Sequence, residues 1–557
     1  MDIKLPITNP KLSMLSLATA ASLMLLMGCG SRGVVDKGPE IPEDLVAMLS
    51  LRNPKDFFSD VTSVVQRTDP TGMAIKNLSG TLELYGYPNF SSFDPLRRMG
   101  FFALTPIDNG DEPEWFLMAT LDQDAPIIDN MRDMGATVVR MGTWTLAAQN
   151  AEVFDRIENI YDFAELLETQ PDEDITLRLF PRVLEQFETE IRAQAAEQIL
   201  SAGYSPDRWL PYVDWMLDEI GSLQALGMGL DLSPQALKFS YAVEGRSGSP
   251  LAEMIENIVH SGMLTKGATI ESGKIANLVT RSNPAAIRSY METLYNNVLA
   301  IATEADAARI RIIWENVDPL MDSMGPSSFM AFNRLSDPMR YSQVSEGTID
   351  RERFLQAYEL FYNSSWQQAM NAIAASAGEI AMPPMSARVN PEVDSIEGIA
   401  ISSVEFSLDP STLDALESED AAALAADLNH YFAIHAGAYF AASDLESLQQ
   451  LLGNYLKGEV ATNNLRDRFE FGKSDFLQGN LDLAAITLQM LTEFEQNGMA
   501  SEGWIKQLLA DAQLDMLFHG YSADRSLIIE TEIPVETLIQ LVTRGFTLFM
   551  MQALSGG

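Results

Sequence analysis

The stretch that decides the fold class of this chain is LGMGLDLSPQALKFSYAV, residues 226–243. From residue 237 onward, apolar and more polar residues alternate strictly, a pattern typical of a strand with one buried face. Together with the apolar run Leu226–Leu232, this strand predicts a β-hairpin. The alternating apolar positions are Leu237, Phe239, Tyr241 and Val243.

A strand and a helix precede this hairpin, and similar units follow it along the chain. Ile175–Phe180 is predicted as a strand, and Pro181 then begins an amphipathic helix. A middle copy of the unit runs from Lys274–Thr280 to a helix from Asp350, with predicted strands at 328–333 and 339–344 between them. A last copy has strands at 514–518 and 527–533 and then a helix that begins at Pro534. A generic hairpin-rich chain without pseudo-symmetry is the alternative.

A second pattern also occurs twice. GTWTLAAQNAE at 142–152 and GAYFAASDLE at 437–446 each predict a strand that ends at Ala-Ala and is followed by an amphipathic helix. Asn150 and Asp444 lie where a helix cap is expected.

The predicted fold class is therefore α+β, with tandem pseudo-repeated modules of antiparallel sheet covered by helices, each sheet on one face. The domain prediction has a signal peptide at 1–28, a lipidated cysteine and tether at 29–41, and three folded parts. These parts are an N-terminal α+β domain at 42–270, a middle α+β module at 271–390, and a C-terminal α+β domain at 391–557. The C-terminal domain repeats features of the N-terminal one.

Composition and charge limit the function classes. The 557 residues are 46% hydrophobic and 21% charged, which is ordinary for a globular protein. The net charge of −41 predicts repulsion from phosphate backbones, so we expect no nucleic-acid partner. Because Cys29 is the single cysteine, no disulfide can form within the chain.

The N-terminus has the order of an export signal. Lys4 and Lys11 precede an apolar run from Leu12 to Met27 that is too short to span a bilayer. The run closes at Leu26-Met27-Gly28-Cys29, which resembles the lipobox of bacterial lipoproteins. The resemblance implies cleavage between Gly28 and Cys29, lipidation of Cys29 and acylation of the new amine. Because Gly30 rather than Asp follows, it also implies a lipid-anchored protein of the cell envelope at the outer membrane.

The searches for chemistry identify no catalytic, cofactor-binding or metal-binding residue. Gly245-Arg-Ser-Gly-Ser lacks the last glycine of a nucleophile elbow, and the 267–274 stretch has the wrong spacing for a phosphate loop. The four histidines have no nearby partner, so neither a metal ligand nor a catalytic base is expected among them. They are His260, His430, His435 and His519.

The acidic clusters and the C-terminal apolar segment have simpler interpretations. The 108–112 and 172–174 clusters lack EF-hand spacing and are expected to be solvated turns. Because Arg544 lies within the apolar segment 535–554, a buried terminal helix is favoured over a membrane span, and a partner-facing helix is the alternative.

The sequence favours a membrane-anchored envelope lipoprotein with a non-catalytic binding or scaffolding role. The expected partners are the membrane, through the N-terminal lipid, and an envelope protein or a hydrophobic ligand. Two alternatives stay open. One is a periplasmic carrier of lipid or another hydrophobic ligand, and the other is a hydrolase that uses dispersed carboxylates.

Overall fold

The computed structural model describes most of the chain from Ile41 onward. Gly28 and Cys29 lie outside the described residues, as does most of the apolar segment 535–554. The described residues are 41–68, 97–106, 113–170, 173–201, 204–260, 266–323, 325–334, 340–346, 350–361, 385–408, 429–496, 506, 509, 514–537 and 539.

In the described ranges, eighteen antiparallel strands in one sheet form the framework. In chain order the strands are β1 (Leu45–Leu51), β2 (Met99–Leu104), β3 (Glu114–Ala119), β4 (Thr137–Met141), β5 (Trp144–Ala148), β6 (Ile175–Leu179), β7 (Leu223–Leu232), β8 (Ala236–Gly245), β9 (Ala276–Arg281), β10 (Ser327–Arg334), β11 (Arg340–Glu346), β12 (Met385–Ile396), β13 (Ile399–Leu408), β14 (His430–His435), β15 (Ala438–Ala442), β16 (Asp475–Asp482), β17 (Asp515–Ala523) and β18 (Ser526–Pro534).

The helices connect the strands and pack on both faces of the sheet. They are α1 (Pro54–Thr68), α2 (Pro126–Asp133), α3 (Ile160–Glu168), α4 (Glu188–Ser201), α5 (Pro206–Gly221), α6 (Pro250–Asn257), α7 (Pro284–Ile301), α8 (Glu304–Ser323), α9 (Arg351–Leu360), α10 (Leu445–Lys457), α11 (Leu465–Arg468) and α12 (Leu483–Gln496). Short 3₁₀ segments lie at Ala151–Arg156, Pro181–Phe187 and Lys266–Thr269.

The hydrogen-bonded pairs give one linear strand order. It reads β4-β5-β3-β2-β1-β6-β7-β8-β18-β17-β16-β9-β10-β11-β15-β14-β13-β12. The predicted hairpin is present as β7–β8, with Leu232 opposite Leu237. Strand pairs join regions that the sequence predicted as separate parts, because β8 pairs with β18 and β9 pairs with β16.

The two faces of the sheet carry different cores. We call the face that carries Phe102 and Phe329 face A, and the opposite one face B. On face A, α3 covers a core over β1–β5, and α10 covers a second core over β9–β11 and β13–β15. On face B, α2 packs over β3–β5, α6 and α7 over β8, β16 and β18, and α9 over β13–β15. The prediction of modules covered by helices on one face is therefore corrected to one sheet with helices on both faces.

Local predictions differ from the structure at two helix starts. Asn150 accepts a hydrogen bond from the Glu152 backbone N–H and caps a 3₁₀ segment, and the amphipathic helix α3 begins later, with Asn159 as its cap. Asp444 caps α10 directly, as predicted, by accepting from the Ser447 N–H. The single helix predicted from Pro181 begins as the 3₁₀ segment and becomes α-helical at Glu188.

Candidate functional site

A continuous set of apolar side chains in the middle of face B stays partly exposed. Leu177, Met228, Tyr241 and Ile529 are consecutive cross-strand partners from β6 through β7 and β8 to β18. Met228 and Tyr241 are each 49% exposed, and Leu179 beside them is 43% exposed. Interior strands of a sheet usually bury such residues, so this region is unusual. We call the set the apolar strip; it contains Leu177, Leu179, Leu226, Met228, Leu230, Phe239, Tyr241 and Ile529.

Helices border the strip without filling it. The connection from β6 to β7 is an arm made of the 3₁₀ segment Pro181–Phe187, α4 and α5. Within the arm α4 packs on α5, and α5 also packs on α7. None of the 16 residues of α5, all of them described, is buried. At one end of the strip, Val243 and Leu527 pack under α6, so the strip is bounded there.

A small cavity beside α7 does not enlarge the strip. Its volume is about 20 Å³, which holds about one water molecule. An acyl chain does not fit into it, so the apolar strip is the larger hydrophobic feature. The cavity is lined by Ser282, Pro284, Ile287, Arg288, Met321 and Gly325.

The opposite side of the same strands, on face A, is polar and carries a group of titratable residues. His519 lies opposite Glu530 on the neighbouring strand, and its Nδ1 is 4.0 Å from Glu530 Oε2. Its Nε2 is 3.1 Å from Asp475 Oδ1, but the oxygen lies off the N–H direction, so the contact is close without being a directed hydrogen bond. Tyr521 donates a 2.7 Å hydrogen bond from its hydroxyl to Glu530 Oε1.

Glu173 completes this group, which we call the His519 cluster (Glu173, Asp475, His519, Tyr521 and Glu530). The Glu173 carboxylate lies flat on β7 at Gly229 and accepts a hydrogen bond from the Ser240 hydroxyl. Burial raises the pKa of the Glu173 carboxyl; the bond from Ser240 opposes this shift, and the negative charge of Glu530 adds to it. Burial, then the hydrogen bond to Glu530, raises the pKa of the Tyr521 hydroxyl.

The cluster could exchange protons but is not arranged as a metal site. Both Asp475 and Glu530 approach one imidazole, so their carboxylates lie within about 10 Å of each other, the separation that glycoside hydrolysis uses. Across the part of the chain that the structure describes, no three His, Cys, Asp or Glu side chains converge as metal ligands.

The prediction that no histidine has a nearby partner was wrong. His519 meets carboxylates from β16 and β18, and His430 Nε2 lies 2.9 Å from the Tyr358 hydroxyl. Their positions in sequence gave no indication, because the pairing of β16 with β17 brings Asp475 to His519 and the packing of α9 on the sheet brings Tyr358 to His430. The sequence of β18 contained one usable signal, because a charged residue, Glu530, lies among apolar residues in a predicted strand.

Comparison with other proteins gives no further indication of function. No family model, no curated protein and no solved structure matches this chain. Within the described ranges, no helix is both long enough and apolar enough to cross a membrane.

Proposed function

We propose that this chain is a membrane-anchored envelope lipoprotein with a non-catalytic binding role, and that the apolar strip binds a hydrophobic ligand. The observation that carries the proposal is the exposure of Leu179, Met228 and Tyr241 in the interior of the sheet. Contiguous exposed apolar surface of this kind marks binding sites in soluble proteins. The location in the envelope and the lipid at Cys29 are part of the same proposal, and the Leu26–Cys29 sequence supports them.

The ligand class follows from the shape and chemistry of the strip. Its four strands are interior, so a partner cannot bind by adding a strand to an open edge. At about 4.8 Å between neighbouring strands, the strip is about 15 Å wide. Its side chains are aliphatic apart from Phe239 and Tyr241, and thioether and aliphatic surfaces adapt to flexible ligands. These features favour an acyl chain over a folded protein surface.

Native mass spectrometry of the protein extracted from membranes in mild detergent tests the binding proposal. We expect an additional non-covalent mass that extraction with organic solvent removes. A protein that carries no such molecule and also fails to bind a neutral apolar dye would contradict the proposal.

The anchor is tested separately with Cys29→Ser. We expect this variant to lose palmitate incorporation and to be released from membranes. If Cys29→Ser is still processed and still sediments with membranes after a high-salt wash, the anchor proposal is wrong, whereas the strip proposal is unaffected. Each measurement can therefore contradict its own proposal without affecting the other proposal.

We further propose that the body arose by internal duplication. In support, the first eight strands have the order β4-β5-β3-β2-β1-β6-β7-β8, and eight later ones have the order β14-β15-β11-β10-β9-β16-β17-β18. Equivalent positions share contacts: Arg52 pairs with Asp174, and Arg281 donates to the Asp475 carbonyl. This grouping puts the predicted 271–390 and 391–557 parts into one repeat, with β12–β13 as an insertion.

A carboxylate hydrolase is the second candidate, and the His519 cluster is the observation that favours it. Glu173, whose raised pKa suits a proton donor, lies near the carboxylate of Glu530. If this candidate holds, Glu530→Gln abolishes hydrolysis of a glycoside panel while the fold persists. If the wild-type protein hydrolyses no member of the panel, the hydrolase candidate is rejected and only the proposed binding role remains.

A further inference from the structure

The end of the arm carries exposed apolar residues that the fold does not require. Leu200 in the last turn of α4 is 66% exposed, and Tyr204, two residues before α5 begins, is 60% exposed. Trp209, in the first turn of α5, is 40% exposed. We call these three residues the tip. Three large apolar side chains therefore occupy the end of one helical hairpin.

The tip residues are held together as a unit. The rings of Tyr204 and Trp209 meet edge to face with centroids 6.0 Å apart. The Tyr204 backbone N–H donates to the Ile199 carbonyl at 3.0 Å, which closes the turn. The Arg208 guanidinium lies 5.7 Å from the centre of the Trp209 ring. The apolar surface is thus preorganised, so little conformational entropy is lost when a partner covers it.

The fold holds the arm in place through other residues. Ala195 and Ile199 are its buried positions in α4, and Arg192 pairs with Asp214 between its two helices. Arg208 makes a bidentate contact with Asp306 of α8, with Nη2 2.7 Å from Oδ1 and 2.9 Å from Oδ2. These contacts hold the arm in place and leave the three tip side chains exposed to solvent. The apolar character of the tip is therefore not needed for packing within the fold.

The composition of the tip fits the interfacial layer of a membrane. Tryptophan and tyrosine concentrate where lipid tails meet headgroups, because each has an apolar body and a polar end. A single exposed apolar residue such as Met134 or Tyr161 is ordinary on a protein surface, whereas three together at the end of one helical hairpin are not. Since the chain carries a net charge of −41, a zwitterionic surface is a better partner than an anionic one.

The arm also starts beside the point where the chain enters the folded body. The Phe180 backbone N–H donates to the Val46 carbonyl at 2.9 Å, so the arm begins next to the start of β1. The 12 residues from Gly30 to Ile41, which precede β1 in the sequence, have a maximum length of about 40 Å. The 14 residues of α4 span about 21 Å. The tip therefore lies within reach of the membrane that holds Cys29. This distance argument rests on the proposed anchor, whereas the side-chain argument does not.

We propose that the tip formed by Leu200, Tyr204 and Trp209 inserts into the interfacial layer of a zwitterionic lipid surface. It then acts as a second membrane contact that sets the orientation of the body. Because the arm also borders the apolar strip, this contact places the strip near the bilayer from which a hydrophobic ligand would come.

Quenching of tryptophan fluorescence in vesicles tests the tip. The full-length mature protein is reconstituted into phosphatidylcholine vesicles whose acyl chains carry bromine, which quenches only tryptophans at the membrane. We expect strong quenching in the wild type that Trp209→Phe removes. The matched control is Trp115→Phe, which changes a tryptophan that is 49% exposed on β3 and should leave the quenching unchanged. In the Cys29→Ser background, which lacks the proposed lipid, Leu200→Ser combined with Tyr204→Ser should weaken vesicle partition on the order of tenfold.

Several outcomes overturn the tip proposal. One is wild-type quenching that is absent, or that Trp115→Phe reduces as much as Trp209→Phe does. Another is self-association in the absence of vesicles that Trp209→Phe abolishes, which would assign the tip to a contact between copies of the chain. If Cys29→Ser still sediments with membranes after a high-salt wash, the anchor proposal is wrong, whereas quenching of Trp209 in that variant by added vesicles would still support the tip contact.

Discussion

Substituting threonine for the three exposed residues of the apolar strip should weaken hydrophobic ligand binding strongly without unfolding the protein. The variant is Leu179→Thr, Met228→Thr and Tyr241→Thr, and threonine is chosen because it retains strand propensity. Fully burying a large apolar side chain contributes about 1.5–3 kcal/mol, and these residues are a little under half exposed. A ligand that covers them therefore gains about 0.7–1.5 kcal/mol from each residue, or about 2–4 kcal/mol from the three. This corresponds to an affinity loss of roughly 30- to 1,000-fold.

Titration with a neutral apolar dye, followed by displacement with a fatty acid, measures this loss. The matched control is Leu517→Thr, which changes a residue that is 40% exposed on β17 but lies on face A, opposite Glu532. We expect the control to bind as the wild type does, and both variants to unfold within a few degrees of it. Equal affinity for the wild type and the triple variant would refute the assignment of the strip, as would an equal loss in Leu517→Thr.

Two further predictions concern stability. Burial raises the pKa of Glu173 in the folded protein above its value of 4.5 in the unfolded chain. Between these two pKa values the folded protein binds more protons than the unfolded chain, so stability falls as the pH rises through this interval. Above it, the buried negative charge lowers the stability of the folded protein. Glu173→Gln should therefore raise the melting temperature at pH 7, and the difference should vanish near pH 4 in thermal scans; a constant difference would contradict the burial argument. In Gly267→Ala the new Cβ would lie 2.2 Å from Cε1 of the fully buried Phe329, so denaturant titration should reveal a loss of about 1–3 kcal/mol. Gly453→Ala, in open space within α10, should be neutral or stabilising by comparison.

The local elements of the fold could be predicted because their signals lie within a few residues of each other. The alternation at Leu237–Val243 predicts both the strand and the division of its side chains between two faces. Pro250 and Pro284 begin α6 and α7 at the first helical turn, where the missing N–H carries no penalty. Asp444 accepts a hydrogen bond as the helix cap at the predicted position, and the helix predicted from Asp350 begins there with Asp350 as its cap.

The long-range pairing could not be predicted in the same way. Glu530 lies opposite Ser240 although 290 positions separate them, and alternation predicts a face but not the strand that will lie alongside. The β17–β18 hairpin brings His519, Tyr521 and Glu530 together, but Asp475 and Glu173 join them only through long-range pairing, so the members carried no signal as a group. The strip was equally hidden, because a sequence predicts an apolar face without indicating whether a helix covers it.

An exposed apolar strip can persist in this fold because the helices that could cover it are held elsewhere. The arm is tied to α8 through Arg208 and Asp306, and α6 and α7 pack at the Val243 end of the strip. Among the described residues, five of the six fully buried phenylalanines lie in the two cores on face A, Phe102 and Phe329 among them, so these cores contribute a large part of the hydrophobic stabilisation. The strip and the face A cores therefore lie on different strands of the sheet, the strip on β6, β7, β8 and β18 and the cores over β1–β5, β9–β11 and β13–β15. It follows that substitutions on the strip should change affinity with little effect on the unfolding free energy, whereas substitutions in the face A cores should do the reverse.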